Sequence, residues 1–253
     1  MALRIVTVPC CTDNYAYLLH DPETGATAVV DVPEAGPIER ALRENGWTLS
    51  EIFITHHHSD HIDGVAALRS ATGARVTGAA ADAHRLPPLD RSVREGDTVS
   101  VGSVDGQVLD VPGHTIGHIA YVFPGVAFTG DSLMALGCGR LFEGDAPAMW
   151  STLKKLAALP PETLICSGHE YAASNGAFAL TVDAENAALR ERVDDIARRR
   201  AGGLPTVPVP LSLEHATNPF LRSAAPEMKA GLGMGDAPDV EVFAEIRRRK
   251  DAF

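Results

Sequence analysis

The segment THHHSDH, residues 55–61, decides how the rest of the chain is interpreted. It follows a short apolar run and precedes a helical pattern, so we expect it on a loop at the end of a strand. Such a loop lets side chains converge on one point while the strand fixes its position. In an extended stretch, residues two apart face the same side, so His56 and His58 can bind one ion. Asp60 and His61 would then turn away and serve a second ion.

Three more potential ligands lie downstream, and each follows a β-rich run and a glycine. They are His114, Asp131 and His169. Glycine permits a sharp turn or a close backbone approach, so each side chain could reach a common centre. Taken singly, each would be an ordinary hydrogen-bonded structural residue. The repeated order of strand, glycine and ligand is what indicates a shared metal site.

The neighbouring polar residues have simpler interpretations. His57 and Ser59 face away from His58 if the segment is extended, which predicts contact with the ligands or with solvent. His118 and Asp63 are expected to be structural. For the whole of residues 55–61, the alternative to a metal site is a solvated loop that happens to be rich in histidine.

The pattern of elements divides the chain near residue 170. Residues 1–169 alternate short β-rich runs with turns and helical patches, which predicts an α+β catalytic domain of two sheets flanked by helices. Residues 170–253 predict a smaller, mainly helical domain. The predicted strands include Leu3–Val8, Thr27–Asp31, Glu51–Thr55, Val108–Val111 and Ile119–Phe123, and the predicted helices are Pro37–Asn45, Asp60–Ser70, Asp183–Arg200 and Val240–Lys250.

Composition and charge limit the class of protein. No stretch reaches the roughly 18 apolar residues of a membrane helix, so no membrane partner is expected. The formal net charge of −11 argues against a broad nucleic-acid surface but allows a local cationic pocket, such as residues 247–250. The start of the chain resembles a strand more than a secretory signal. The four cysteines lack zinc-ribbon, redox or disulfide spacing, which predicts packed, reduced thiols in a cytoplasmic protein.

These motifs together resemble those of a known family. The motif Thr-His-x-His-x-Asp-His of residues 55–61, followed by single His, Asp and His positions, resembles the metallo-β-lactamase superfamily. Within it, the chain resembles the hydroxyacylglutathione hydrolases (glyoxalase II) along nearly its whole length. The supporting stretches are Thr12–Tyr15, Gly137–Arg140, Gly168–Tyr171, Thr217–Phe220 and Arg247–Asp251. The last three extend the resemblance into the helical region.

The resemblance implies an αββα sandwich with a smaller C-terminal helical domain, and a pair of divalent metal ions. Zinc is the first expectation, with iron and manganese as alternatives, because nitrogen and oxygen ligands suit all three. By analogy, His56, His58 and His114 hold one ion, Asp60, His61 and His169 hold the other, and Asp131 bridges both. Asp60 and Asp131 are therefore also the expected catalytic residues.

The resemblance also implies contacts to the glutathione part of a substrate. The residues concerned are Arg140, Tyr171, Arg247 and Lys250, with polar help near Phe142 and Asn175. The family often has lysine at position 140 and tyrosine at position 142, so the cation is kept here and a hydroxyl donor is lost. As alternatives, Tyr171 could pack between domains, and the cationic run could be a solvated helix face.

The implied reaction is hydrolysis of S-(2-hydroxyacyl)glutathione thioesters, chiefly S-D-lactoylglutathione, to glutathione and D-lactate by a bimetal-bound hydroxide. This is a step of methylglyoxal detoxification, here expected in a monomer. One alternative keeps the fold but changes the reaction, to a mononuclear-iron persulfide dioxygenase, a lactonase or a β-lactam hydrolase. Another alternative is a nucleic-acid-processing relative, which the net charge disfavours. A non-catalytic metal-binding module is a further alternative, but it would not need the substrate-type cations.

Overall fold

The computed structural model describes residues 3–253. Two compact units can be distinguished. The first comprises the residues up to 111 together with 117–130, and the second comprises 112–116 together with 131–253. Within residues 3–253, helices fall short of the length and hydrophobicity that crossing a membrane requires.

The first unit contains a six-stranded sheet in the order β1 to β6. Strands β1 to β3 are antiparallel, and β3 to β6 run parallel because helices or loops return the chain to the same edge. The strands are β1 (Arg4–Cys10), β2 (Asn14–His20), β3 (Thr27–Val30), β4 (Leu49–Phe53), β5 (Arg75–Ala79) and β6 (Arg91–Val93), and the helices are α1 (Ala35–Asn45), α2 (Ser59–Ile62) and α3 (Val65–Thr72).

Four further strands of the first unit form an antiparallel array packed against this sheet. They are β7 (Thr98–Val101), β8 (Val104–Asp110), β9 (Ile119–Phe123) and β10 (Val126–Gly130), hydrogen-bonded in that order. Aromatic rings join the two layers: Tyr17 lies 5.5 Å from Phe128, and Phe53 lies 5.1 Å from Tyr121, measured between ring centroids. The Tyr121 hydroxyl donates to the Ile54 carbonyl at 2.9 Å, so the buried phenol is satisfied at the strand end that leads into the histidine segment.

Helices α1 and α3 cover the other face of the six-stranded sheet. Ile38 and Leu42 of α1 and Leu68 of α3 belong to one buried cluster with sheet residues. The prediction of a continuous helix over Asp60–Ser70 was wrong, since Gly64 separates α2 from α3. An added Cβ at Gly64 would lie 2.8 Å from backbone atoms at the start of α1, and this close approach interrupts the helix.

The second unit consists mainly of helices, with two short antiparallel strand pairs. Its strands are β11 (Leu133–Met134), which pairs with β12 (Gly137–Cys138), and β13 (Leu164–Ser167), which pairs with β14 (Val209–Pro210). Its helices are α4 (Ala146–Ala157), α5 (Ala172–Val182), α6 (Ala187–Ala201), α7 (Leu211–Thr217), α8 (Pro226–Leu232) and α9 (Asp239–Ala252). Mixed sheets with helices and a helical C-terminal region make the fold α+β, as predicted.

Two local predictions need correction. The helix expected from Asp183 begins at Ala187, because the Asn186 side chain caps it by accepting from Leu189 N at 3.1 Å. Asp183 instead follows the end of α5. The cysteines are free, and Cys10, Cys138 and Cys166 are buried, as predicted for thiols that pack as small hydrophobes. Cys11 is exposed, so that prediction was wrong for it.

Candidate metal centre

The histidine segment of the first unit is anchored by a buried aspartate that sequence reasoning missed. The Asp31 carboxylate accepts from Thr55 N and Thr55 Oγ1, both at 2.8 Å, and from His61 Nδ1, also at 2.8 Å. Asp31 has φ +57°, a strained conformation that aims its side chain at the segment. With Nδ1 of His61 engaged by a carboxylate, Nε2 is the ring nitrogen that can bind a metal. Carboxylates are usual partners of the second ring nitrogen in metal-binding histidines.

The alternation expected within the segment is present. His56 Nε2 and His58 Nδ1 lie 3.0 Å apart, and the rings of His56 and His61 lie 4.2 Å apart between centroids. His57 turns to Asp82, with its Nδ1 3.2 Å from the carboxylate. His118 is buried and its Nδ1 donates to the Ile119 carbonyl at 3.1 Å, in keeping with the structural role expected for it.

Asp60 lies in the first turn of the short helix α2 and is held from a second direction. Asn14 Nδ2 donates to the Asp60 carbonyl oxygen and to Asp60 Oδ2, both at 3.0 Å. Asp60 Oδ2 in turn lies 3.8 Å from His61 Nε2. Asn14 belongs to one of the family-like stretches, and in the structure it orients a carboxylate beside the histidines.

In the second unit, two histidine nitrogens lie close to the same oxygen of the Asp131 carboxylate. His114 Nε2 lies 3.4 Å and His169 Nε2 lies 3.3 Å from Asp131 Oδ2, and all three side chains are buried. His114 Nδ1 donates to the Arg140 carbonyl at 2.8 Å, so its Nε2 is the nitrogen directed to Asp131. The Tyr171 ring stacks on His169 with centroids 4.6 Å apart and planes within 6°.

Glycine is required where the chain passes this group. An added Cβ at Gly139 would lie 2.0 Å from the Asp131 carbonyl oxygen and 2.9 Å from His114 Nδ1. No side chain fits there without moving the backbone of Asp131. Glycine therefore permits a close backbone approach at this position. Gly139 follows Asp131 in the sequence, whereas the glycines expected to do this precede the ligands.

Each unit thus gathers ligand-type side chains at one place. The first unit brings together His56, His58, Asp60 and His61, and the second unit brings together His114, Asp131 and His169. Imidazole nitrogens and carboxylate oxygens gathered in this way are the donor atoms that divalent cations bind in proteins. The donor set, nitrogen and oxygen with no thiolate, fits a divalent ion such as zinc, iron or manganese.

The expected substrate cations lie together in the second unit, but they differ in exposure. Arg247 is only 6% exposed: its Nη1 donates to the Cys138 carbonyl at 3.0 Å and its Nη2 pairs with Asp251 at 2.7 Å. Arg140 Nε lies 3.6 Å from the same Asp251 oxygen. Arg247 thus contributes charge and positioning from within the fold, and Arg140 is the more exposed guanidinium.

Lys250 occupies an intermediate position. Its Nζ donates to the Ser174 carbonyl at 3.3 Å and lies 5.3 Å from the Phe178 ring centroid. Burial lowers the pKa of Lys250, the charges of Arg247 and Arg140 lower it further, and Asp251 raises it. A partly desolvated cation among other cations favours an anionic ligand.

The remaining predicted neighbours have different surroundings. The Phe142 ring is 61% exposed and lies 5.3 Å from the His114 ring, so position 142 borders the metal centre without a hydroxyl. The Asn175 amide is buried and donates to the Ala135 carbonyl at 3.0 Å, which makes it a backbone support. Arg248 and Arg249 both pair with Glu245 and form an ordinary solvated face.

Comparison with known proteins adds an independent finding. Residues 12–169 match the model of the metallo-beta-lactamase superfamily, and residues 170–253 match that of the hydroxyacylglutathione hydrolase C-terminus. Hydroxyacylglutathione hydrolases of Cereibacter sphaeroides and Jannaschia sp. are 66% and 60% identical to the chain. The first match covers all of both proteins, and the second covers 99% of this chain and 98% of its relative. The crystal structure of ETHE1 from Myxococcus xanthus superposes with a TM-score of 0.68 at 28% identity, over 98% of this chain and 90% of that one.

Proposed function

The chain belongs to the hydroxyacylglutathione hydrolases of the metallo-beta-lactamase superfamily, and from this premise we propose how it hydrolyses S-(2-hydroxyacyl)glutathione thioesters, chiefly S-D-lactoylglutathione. The products are glutathione and D-lactate. The observation that carries the proposal is that each unit gathers ligand-type side chains at one place: His56, His58, Asp60 and His61 in the first unit, and His114, Asp131 and His169 in the second.

We assign the ligands as follows: His56, His58 and His114 for one divalent ion, Asp60, His61 and His169 for the other, and Asp131 for both. Within the first unit, the close approach of His56 to His58 and of Asp60 to His61 supports the assignment. The approach of His114 and His169 to the same Asp131 oxygen supports a bridging role. When bound, two such ions would supply Lewis acidity and lower the pKa of a coordinated water towards about 7.

The protein's own groups then set orientation and charge. Asp31 and the Arg140 carbonyl fix the ring orientations of His61 and His114, so little reorganisation is needed when metal and substrate bind. Asp60, oriented by Asn14, would accept a hydrogen bond from the water that attacks the thioester carbonyl. No separate general acid is needed, because the glutathione thiol has a pKa of about 8.5 and leaves as a thiolate.

The second unit supplies the groups for the glutathione carboxylates. Arg140 and Lys250 are the accessible cations, and Arg247 supports them from inside the fold. Arginine and lysine recognise carboxylates through charge-assisted hydrogen bonds, so they concentrate positive charge locally in an acidic protein. Tyr171, stacked on His169, borders this group. We propose that residues 170–253 act as the substrate-binding domain and residues 1–169 as the catalytic domain.

The metal, the oligomeric state and the cellular setting belong to the same proposal. Zinc is the proposed metal, with iron or manganese as the alternatives, because the ligands are imidazoles and carboxylates. A monomeric, cytoplasmic enzyme in methylglyoxal detoxification is proposed from the substrate class and from four free cysteines in the described chain.

Loss of thioester absorbance from S-D-lactoylglutathione, with metal analysis of the same sample, tests the proposal. We expect the wild-type protein to hydrolyse the thioester and to bind two ions per chain. In His169→Ala, hydrolysis and the two-ion occupancy should both be lost. The matched control is His84→Ala, which removes an exposed histidine outside the centre and should leave both values unchanged. Wild-type protein loaded with two ions that leaves the thioester intact would refute the function.

A further inference from the structure

A short hairpin connects two residues of the proposed site. Strands β11 and β12 pair through Leu133 with Cys138 and through Met134 with Gly137, and the turn between them places Leu136 at φ +56°. The hairpin begins two residues after Asp131 and ends two residues before Arg140. Any shift of its turn is therefore transmitted to a proposed metal ligand at one end and to a proposed substrate cation at the other.

The turn is held by buried side chains as well as by the pairing of its own strands, and these side chains belong to α7, to the residue after α7 and to Asn175 of α5. Asn218 Nδ2 donates to the Met134 carbonyl at 3.2 Å and to the Gly137 carbonyl at 3.0 Å. Leu136 N donates to Glu214 Oε2 at 3.0 Å. The left-handed conformation of Leu136 is costly for a residue with a Cβ, so it persists because these contacts hold it.

The two supporting side chains are themselves fully enclosed. Glu214 and Asn218 have no exposed surface, and Asn218 Nδ2 also lies 3.0 Å from Glu214 Oε2. The charge of Glu214 is balanced by Arg192 Nη2, and Arg192 Nη1 donates to Thr217 Oγ1 at 2.6 Å. A buried network with satisfied members is rigid, because each member would be left with an unpaired polar group if another moved.

Rigidity at the turn passes directly to the site. Gly139 N donates to the Ser132 carbonyl at 3.2 Å and closes the hairpin base, and the Gly139 backbone lies against the Asp131 carbonyl. The carbonyl of the next residue, Arg140, accepts from His114 Nδ1. The hairpin therefore fixes the backbone of Asp131 and the ring of His114 together.

We infer that Glu214 and Asn218 are positioning residues for the metal centre. They act through the hairpin, without touching metal or substrate, and they set the geometry of Asp131, His114 and Arg140. This gives a role to the Thr-Asn-Pro-Phe stretch of residues 217–220, which neither ligand binding nor catalysis uses. The inference rests on the proposed metal site.

The test compares three variants. Asn218→Ala removes the amide that donates to the Met134 and Gly137 carbonyls and leaves the Asn175 contact to the turn in place. Asn218→Ser keeps a hydroxyl in place of the amide and so provides a milder change if the alanine variant does not fold. The control is Asp183→Asn, which weakens a different ion pair of the second unit, Asp183 with Arg222 at 2.8 Å, and leaves the side chains of Glu214 and Asn218 unchanged.

The zinc dissociation constant of each folded variant is measured by competition with a chromophoric chelator, alongside the thermal midpoint and KM for S-D-lactoylglutathione. We expect Asn218→Ala to weaken zinc binding about 10- to 100-fold, the range typical of groups that orient ligands, with Asn218→Ser between it and wild type. KM should rise in both because Arg140 shifts, whereas Asp183→Asn should change only the thermal midpoint.

Zinc affinity within about twofold of wild type in Asn218→Ser, with an unchanged KM, would overturn the inference, as would equal losses in the control. These outcomes differ from failure of the proposed function. In that case the wild-type protein itself would fail to bind two ions or to hydrolyse the thioester.

Discussion

The sharpest prediction concerns Lys250, whose charge can be removed without removing its packing. The ammonium group lies over the rings of Phe178 and Phe253, with Nζ 5.3 and 5.2 Å from their centroids. Lys250→Met retains a long, flexible apolar stem in that place and deletes the cation. The variant should therefore fold normally and lose only the charge.

The magnitude follows from the environment of the ammonium group. A hydrogen bond to a charged partner contributes about 1.5–3 kcal/mol when the groups are withdrawn from water. At about 1.36 kcal/mol per factor of ten, this corresponds to a loss of about 10- to 160-fold in kcat/KM. Because the carboxylate is bound equally in the ground state and the transition state, the loss should fall on KM, with kcat unchanged within about threefold.

Steady-state kinetics with S-D-lactoylglutathione measures both constants. The matched control is Arg248→Ala on the same helix, whose side chain is 70% exposed and pairs only with Glu245. It should leave KM unchanged, since exposed pairs contribute little. A KM within twofold of wild type in Lys250→Met, or an equal rise in both variants, would refute the assignment. Arg247→Ala is a poorer test, because it strips partners from buried groups.

Three further predictions concern particular positions. Phe142→Tyr returns a hydroxyl to an exposed ring beside the centre. KM should therefore fall about two- to fivefold, because a partly exposed neutral hydrogen bond contributes about 0.5–1 kcal/mol. A KM equal to wild type would show that no substrate atom reaches that position. Gly139→Ala forces a Cβ onto a backbone oxygen and should lower bound metal in elemental analysis, whereas Gly235→Ala, with open space around it, should not; equal metal contents would count against the close approach. Burial raises the pKa of Cys10 to about 12 and that of Cys138 to about 11, above the ordinary value of about 8.5, so the unfolded chain releases these protons first. The contribution of these thiols to the free energy of unfolding should therefore be fully present below about pH 8.5 and fall as the pH rises towards 11–12. The fall should appear as a decreasing urea midpoint that flattens in a Cys138→Ala variant, and an unchanged midpoint up to pH 11 would contradict this.

The gathering of ligand-type side chains within each unit could be predicted because the spacing of these residues carries the geometry. Alternation in the segment after β4 puts His56 and His58 on one side, and the structure keeps them 3.0 Å apart. His114, Asp131 and His169 each follow a strand and a glycine, and a strand end is a position that the rest of the sheet fixes. Residue type, period and turn chemistry are local properties, so a single sequence displays them.

Other parts of the centre depend on contacts that the sequence does not display. Asp31 lies 24 positions before Thr55 in a run that resembles a strand continuing, and its left-handed backbone has no local signature. Asn14 lies 46 positions from Asp60. The break at Gly64 likewise comes from close packing against the start of α1, a long-range contact that overrides a helical pattern.

The burial of Arg247 could have been predicted. It is four positions after Phe243 and one after Ile246, and these three residues share the buried face of α9 with Val242. Helical periodicity thus places Arg247 on the inner face, although the family resemblance alone suggests an open contact with substrate. Lys250, three positions further on, lies at the edge of that face and keeps its amine accessible.

Counting the metal ions bound per chain, by elemental analysis of wild-type protein and of Asp131→Ala after equilibration with excess zinc, addresses the paired metal site most directly. We predict two ions in the wild-type protein and a large loss in the variant, since Asp131 Oδ2 lies beside a histidine nitrogen on each side. A wild-type protein that binds only one ion at saturating zinc, or a variant that keeps both, would contradict the paired site.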